Sequence, residues 1–125
     1  MRKYYSVLLI VIVFVLFGCS GSDVYRGNWK ALTLNGEKAE LTFEPKKLTI
    51  RDSANTRTIE YTQNSVEIKN AVKSYGINLK DSRRYKLYFP NAKDLNVGVI
   101  TDENGNIIYT IGRKDFVSFE DINKL

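Results

Sequence analysis

Residues 27–43 read Gly27-Asn28-Trp29-Lys30-Ala31-Leu32-Thr33-Leu34-Asn35-Gly36-Glu37-Lys38-Ala39-Glu40-Leu41-Thr42-Phe43. Two alternating runs, residues 29–34 and 37–43, flank Asn35-Gly36. A two-residue hairpin turn needs positive φ at both central positions, which Asn and Gly accept most readily, so this stretch predicts an antiparallel hairpin. The sequence around it continues in the same way. Leu48-Thr49-Ile50 follows a Pro45-Lys46-Lys47 turn. Beyond Asp52-Ser53-Ala54-Asn55, residues 57–62 put Ile59 and Tyr61 on one face, and Val66 and Ile68 alternate after Gln63-Asn64-Ser65. Residues 70–76 show no clear period.

Alternation returns at Ile77 and Leu79, and again at Tyr85, Leu87 and Phe89, with Arg84, Lys86 and Tyr88 on the opposite face. Leu95, Val97 and Val99 lead through Asp102-Glu103-Asn104-Gly105 to Ile107, Tyr109 and Ile111, which reads as a second hairpin. Ser118-Phe119-Glu120-Asp121 offers a capping serine with an acid three residues on and predicts a short C-terminal helix. This amounts to eight or nine short strands with no helical run long enough for a βαβ crossover, so the expected class is all-β and the sheet antiparallel. A small barrel or a strongly curved sheet removes exposed edges. The expected core is Trp29, Leu32 or Leu34, Leu41, Phe43, Leu48, Ile50, Ile59, Tyr61, Val66, Ile68, Leu87, Val97, Val99, Ile107 and Ile111. A domain of this size buries only about 65% of its unfolded surface, so a large ligand cavity would compete with that core.

Residues 1–19, MRKYYSVLLIVIVFVLFGC, carry Arg2 and Lys3 ahead of eleven apolar residues. That run is well short of the ~20 residues needed to span a bilayer and has the form of a secretory leader. Leu16-Phe17-Gly18-Cys19 resembles the lipobox of bacterial lipoproteins, although Phe17 stands where a small residue is usual. The resemblance implies a signal peptide at residues 1–18, a diacylglyceryl group on Cys19, and a tether through residue 24 that includes Ser20-Gly21-Ser22. The domain then occupies residues 25–125, lipid-anchored on the extracytoplasmic face of the cell membrane. An ordinary secretory signal with an unmodified thiol is the alternative. Two acyl chains hold a protein stably on a membrane, where one binds only marginally.

The chain has 125 residues, no His and a single Cys. That leaves room for one domain and excludes disulfide frameworks, zinc clusters and His-based triads. A catalytic site would need paired carboxylates, or Lys or Tyr with Ser. Glu40, Glu44, Glu60 and Glu67 instead fall on the faces opposite the apolar residues, with nothing to separate an acid from a base. No phosphate loop or metal-ligand cluster is present, so neither enzyme activity nor a cofactor or metal is expected. The net charge is +5, or +3 once Arg2 and Lys3 are removed. Lys69, Lys73, Lys80, Arg83, Arg84 and Lys86 concentrate the excess, with Lys80, Arg83, Arg84 and Lys86 as the candidate basic patch. Such a patch is attracted to anionic lipid or wall polymer, unless it serves only as a solvated strand face. Nucleic acid is not an expected partner.

Gly27-Asn28-Trp29 is similar to the Gly-x-Trp signature that opens lipocalins and fatty-acid-binding proteins, and the run to Leu41-Thr42-Phe43 looks like small bacterial lipocalin-like lipoproteins. The resemblance implies that Trp29 plugs the floor of a barrel. Thr101-Asp102 and Arg113 are then similar to remnants of later lipocalin motifs, with Arg113 stacking over Trp29; the alternative is a hairpin turn and a solvated Arg. The helical lid of a fatty-acid-binding protein has no counterpart in the Asn35-Gly36 turn. The function expected on this basis is a non-catalytic binding module for a small apolar or amphipathic ligand or an envelope component. Its contact residues would be Trp29, Tyr61, Tyr75, Tyr85, Tyr88, Tyr109 and Arg113. The other reading is an immunity or exclusion lipoprotein that binds a bacteriocin, toxin or other protein at the membrane, and an accessory subunit of an envelope assembly is a third.

Overall fold

Eight antiparallel strands follow one another in sequence order: β1 (Gly27–Leu32), β2 (Lys38–Phe43), β3 (Lys47–Asp52), β4 (Thr56–Lys69), β5 (Val72–Leu79), β6 (Arg84–Tyr88), β7 (Val97–Asp102) and β8 (Ile107–Gly112). Each pairs with the next and β8 pairs with β1, so the sheet closes into a barrel. The structure, a computed structural model, describes residues 23–91 and 93–123. The leader, Cys19 and residues 20–22 of the tether lie outside the described residues.

Period-2 alternation sets the inward face. Trp29 and Ala31 of β1, Leu41 and Phe43 of β2, Leu48 and Ile50 of β3, Ile77 and Leu79 of β5, and Tyr85 and Leu87 of β6 are all buried, while their neighbours along the strand are more exposed. An eight-stranded barrel has an interior just wide enough for side chains to fill. Here a row of aromatic rings fills it: Trp29 meets Phe89, Phe89 meets Tyr75, Tyr75 meets Tyr25, Tyr25 meets Phe43, and Phe43 meets Tyr61, with centroids 5.2–6.4 Å apart. Four of these five contacts are edge-on, the orientation ring quadrupoles favour.

The up-and-down order sorts the connections to two ends. At one end lie the chain entry at Asp23, the turn at residues 44–46, the Asn70-Ala71 turn, the connection at residues 89–96, and the exit at Arg113. This is the entry end. The far end carries residues 33–37, 53–55, 80–83 and 103–106. The hairpins expected at Asn35-Gly36 and Asn104-Gly105 both form, but not as two-residue turns: of these residues only Gly36 and Gly105 have positive φ, both 87°. The hydrogen bonds from Gly36 N to Thr33 O and from Gly105 N to Asp102 O centre the turns on Leu34-Asn35 and Glu103-Asn104. The Asp102 carboxylate accepts from the backbone N–H groups of Asn104 and Asn106 at 2.9 Å and so fixes the second turn.

Three expectations about the chain need correcting. Residues 57–62 and 66–68 belong to one 14-residue strand, β4, because Gln63-Asn64-Ser65 makes a bulge in the ladder with β5 and not a turn. The featureless residues 70–76 contain a two-residue turn, with Asn70 at φ 54° and Ala71 at φ 67°, and the start of β5. Val66 and Ile68 are not core: they are exposed, because β4 outruns the strands that would cover them. Leu34 is also exposed, and Leu32, Ile59, Val97 and Ile107 are half-buried.

After β8 the chain doubles back over the outside of the β8–β1 seam. The Thr110 hydroxyl donates to the Val117 carbonyl, and Gly112 lies so close to Asp115 and Val117 that a Cβ there would overlap both. The Phe116 ring sits under the ammonium groups of Lys30 and Lys38, at 5.6 and 4.9 Å. A short helix, α1 (Phe119–Asn123), follows, with Ser118 Oγ accepting from Asp121 N at 3.2 Å as the cap predicts. Val99, which pairs with Thr110 on this outer face, is buried outside the barrel interior, and so is Ile122 of α1.

Candidate functional site

Trp29 is 1% exposed, and its indole N–H donates to the Tyr25 carbonyl at 2.8 Å. Arg113, at the exit of β8, lays its guanidinium 3.7 Å from the ring centroid. The same group donates to the Asn28 and Val24 carbonyls, both at 3.1 Å, so it ties the last strand to the residues that open the first. Partial burial pushes its pKa below the usual value. The two residues are 84 apart in sequence, and the stacking is the one that the resemblance implies. It is structural closure, and the ring face it covers is unavailable to a ligand.

The tyrosines divide between interior and outer face. Tyr61 and Tyr75 belong to the aromatic row, and the Tyr61 hydroxyl donates to the Glu44 carbonyl. Tyr85 is buried nearer the far end, where its hydroxyl accepts from Arg83 Nη1 at 2.8 Å. Tyr109 is half-buried against the same interior, and Tyr88 is half-buried on the outer face beside Val99. Burial pushes the pKa of Tyr61, Tyr85, Tyr88 and Tyr109 above the usual value. Packed in this way, most of these rings have no open face to offer.

The basic patch is largely compensated. Lys80 pairs with Glu60 at 3.0 Å, Arg83 with Asp81 at 2.7 Å and Lys86 with Glu67 at 3.8 Å. Arg84 alone among the four forms no ion pair with the described residues. These exposed pairs contribute little stability, but they cancel the local field.

A more open surface lies where β3 and β4 separate. Their ladder ends at Lys47 opposite Glu60, while β4 continues to Lys69 paired only with β5. The groove along this seam has a volume of about 600 Å³. Pro45, Tyr61 and Leu79 form its apolar part, and Lys46, Lys47 and the Glu60–Lys80 pair its charged rim. The hydrogen bond from Lys80 holds the Glu60 carboxyl below the usual range. Lys46 and Lys47 form no ion pair among the described residues. The sequence shows the 45–47 turn but not its approach to residues 78–80, which depends on the length of β4.

Among the described residues no group of three or more acidic, His or Cys side chains could hold a metal ion, and no helix is long and apolar enough to cross a membrane. Comparison with known protein families, with curated proteins and with solved structures finds no match to this chain.

Proposed function

We propose that the chain is a lipid-anchored binding module on the extracytoplasmic face of the cell membrane, without catalytic chemistry, that takes an anionic amphipathic ligand of the envelope in the β3–β4–β5 groove. The observation that carries this reading is the groove itself, which joins an apolar floor to Lys46, which forms no ion pair among the described residues, and to Lys47, which faces Glu60 across the ladder. A pocket that is mostly apolar with a few fixed polar groups suits a ligand that is part hydrocarbon and part anion. The aromatic row occupies the barrel interior, so the ligand sits on the outside rather than within. Anchoring through a diacylglyceryl Cys19 comes from the lipobox resemblance. The lipocalin-like barrel reading draws support from the eight-strand order and the Trp29–Arg113 stacking.

The test is native mass spectrometry of the domain from Ser22 to Leu125 before and after incubation with an envelope extract. A discrete added mass that is lost on Lys46→Glu/Lys47→Glu is the expected result. A folded domain with no added mass would refute the groove as a ligand site. The filled interior favours a second reading, that of an immunity lipoprotein with an exposed recognition face. Sensitisation of the deletion strain to one bacteriocin or toxin would establish it in place of the first.

A further inference from the structure

At the entry end the β4–β5 hairpin runs past its neighbours. β3 leaves β4 at Glu60, and the β6 ladder reaches β5 only as far as Ser74, so the pairs Ile68↔Lys73 and Lys69↔Val72 have no third strand beside them. Val66, opposite the buried Tyr75, is 51% exposed, and Ile68 is 68% exposed. Leu95, in the connection between β6 and β7, is 47% exposed. A hollow of about 180 Å³ joins Leu95 to Ala71, Tyr75, Phe89 and Val24. Exposed large apolar side chains gathered in this way mark an interaction surface.

Around this patch unpaired lysines outnumber unpaired acids. Lys69, Lys73 and Lys93 are exposed and form no ion pair among the described residues. Of the nearby acids, Glu67 faces Lys86 and Asp23 faces Arg26, while the Asp94 carboxylate keeps its charge and accepts from Asn96 N at 3.0 Å. The chain also enters here, with Val24 lining the hollow. Cys19 is four residues from Asp23, and an extended chain spans at most about 3.6 Å per residue. Any group on Cys19 therefore lies within about 14 Å of Asp23.

We infer that the entry end is a second membrane contact, docking on an anionic bilayer with Ile68, Val66 and Leu95 in the headgroup region and Lys69, Lys73 and Lys93 on lipid phosphates. This rests on the lipid-anchor reading of Cys19, which brings a bilayer to this end and not to the far one. An apolar tip ringed by lysines suits an interface that is greasy within and negative at its surface. A second copy of the chain would set three lysines against three lysines. The docked barrel stands with its far-end turns directed away from the membrane.

The test uses the domain from Ser22 to Leu125, which contains the whole barrel core and no native Cys. It is held on vesicles through an N-terminal polyhistidine and a nickel-chelating lipid, so that tethering does not depend on Cys19. An environment-sensitive probe is attached through Ile68→Cys or, at the far end, through Asn35→Cys. On vesicles of phosphatidylcholine with phosphatidylglycerol, the probe at 68 should shift to the blue and be quenched by lipid-borne quencher, while the probe at 35 stays unchanged. Lys69→Glu/Lys73→Glu/Lys93→Glu should weaken the insertion at least tenfold, since each lysine near an anionic surface contributes roughly fivefold. Solvent-like emission at both positions, insertion unaffected by the charge reversals, or a blue shift at 68 that grows with protein concentration without vesicles would each overturn the inference. The anchor is checked separately by the mass of the N-terminal peptide from membrane-extracted chain. An unmodified Cys19 there would refute the anchor while leaving the vesicle result standing.

Discussion

Replacing Arg113 with Ala should cost the barrel about 2–3 kcal/mol. The guanidinium makes two hydrogen bonds, to the Asn28 and Val24 carbonyls, and stacks 3.7 Å from the Trp29 ring centroid. A charged donor to a carbonyl contributes about 1.5 kcal/mol at the low end of its range, and a half-buried cation–π contact about 1 kcal/mol. The gross loss is then about 4 kcal/mol, of which water reaching the freed carbonyls recovers a part. Since Trp29 is the only Trp of the chain, its fluorescence reports on the site directly. The assay is urea unfolding of the Ser22–Leu125 domain followed by tryptophan emission, with the native emission maximum read at the same time. A loss of about 2–3 kcal/mol lowers the melting temperature of a domain of this size by roughly 10–20 °C. Arg113→Lys should recover less than half, because an ammonium cannot fork to two carbonyls while lying flat on a ring. A loss below about 1 kcal/mol with unchanged Trp29 emission would refute the view that Arg113 fastens the barrel's ends.

Gly112→Ala places a Cβ against Asp115 and Val117 and should displace the C-terminal segment, at about 2 kcal/mol, with new proteolytic cleavage after residue 112 as the readout. Ala71→Gly relieves a positive φ at the β4–β5 turn and should raise the urea midpoint by the equivalent of about 0.5 kcal/mol; a decrease would argue against the turn. The buried tyrosines have folded pKa values above the unfolded value near 10, so the stability they contribute is complete below pH ~10 and is lost as pH rises through the folded values. Tyrosinate absorbance should therefore appear together with alkaline unfolding and not before it. Asp52, Asp81, Asp102 and Glu60 have folded pKa values below the ordinary ones, chiefly through hydrogen bonds. Their contribution is present above the unfolded carboxyl range and fades as pH falls through the folded values, which acid titration of the unfolding midpoint will show.

Local chemistry made much of this fold legible. Asn35-Gly36 and Asn104-Gly105 locate their hairpins, though each turn is centred one residue earlier, and the alternation around them marks β1, β2 and β8. On β7 it selects Val97 and Val99, whereas Ile100 faces the interior. The C-terminal cap is equally local. What the sequence hides is non-local or atypical. Ala71 carries a positive φ that its side chain does not advertise, so the β4–β5 turn looks featureless. Asn64 resembles a turn residue because bulges and turns draw on the same amino acids. Val66 and Ile68 have the period of a core strand, and only the shorter reach of β3 and β6 leaves them uncovered. Tyr75 and Tyr85 read as contact residues because tyrosine suits both packing and binding, and only burial separates the two. The groove at the β3–β4 seam depends on where one strand ends relative to another, which no window of sequence records.

The joint between β1 and β8 is the shortest ladder of the barrel, three residue pairs, yet it joins the first strand of the domain to the last. The aromatic row cannot be sealed until residue 113 is present, and the segment that braces the joint comes later still. Until then Trp29 lacks its cover, and β1 has no closing partner. A polypeptide threaded through a pore with its N-terminus leading could therefore close its barrel only after Arg113 emerged. Folding would then finish on the far side, slowly, as expected when the decisive contact is also the most distant one along the chain.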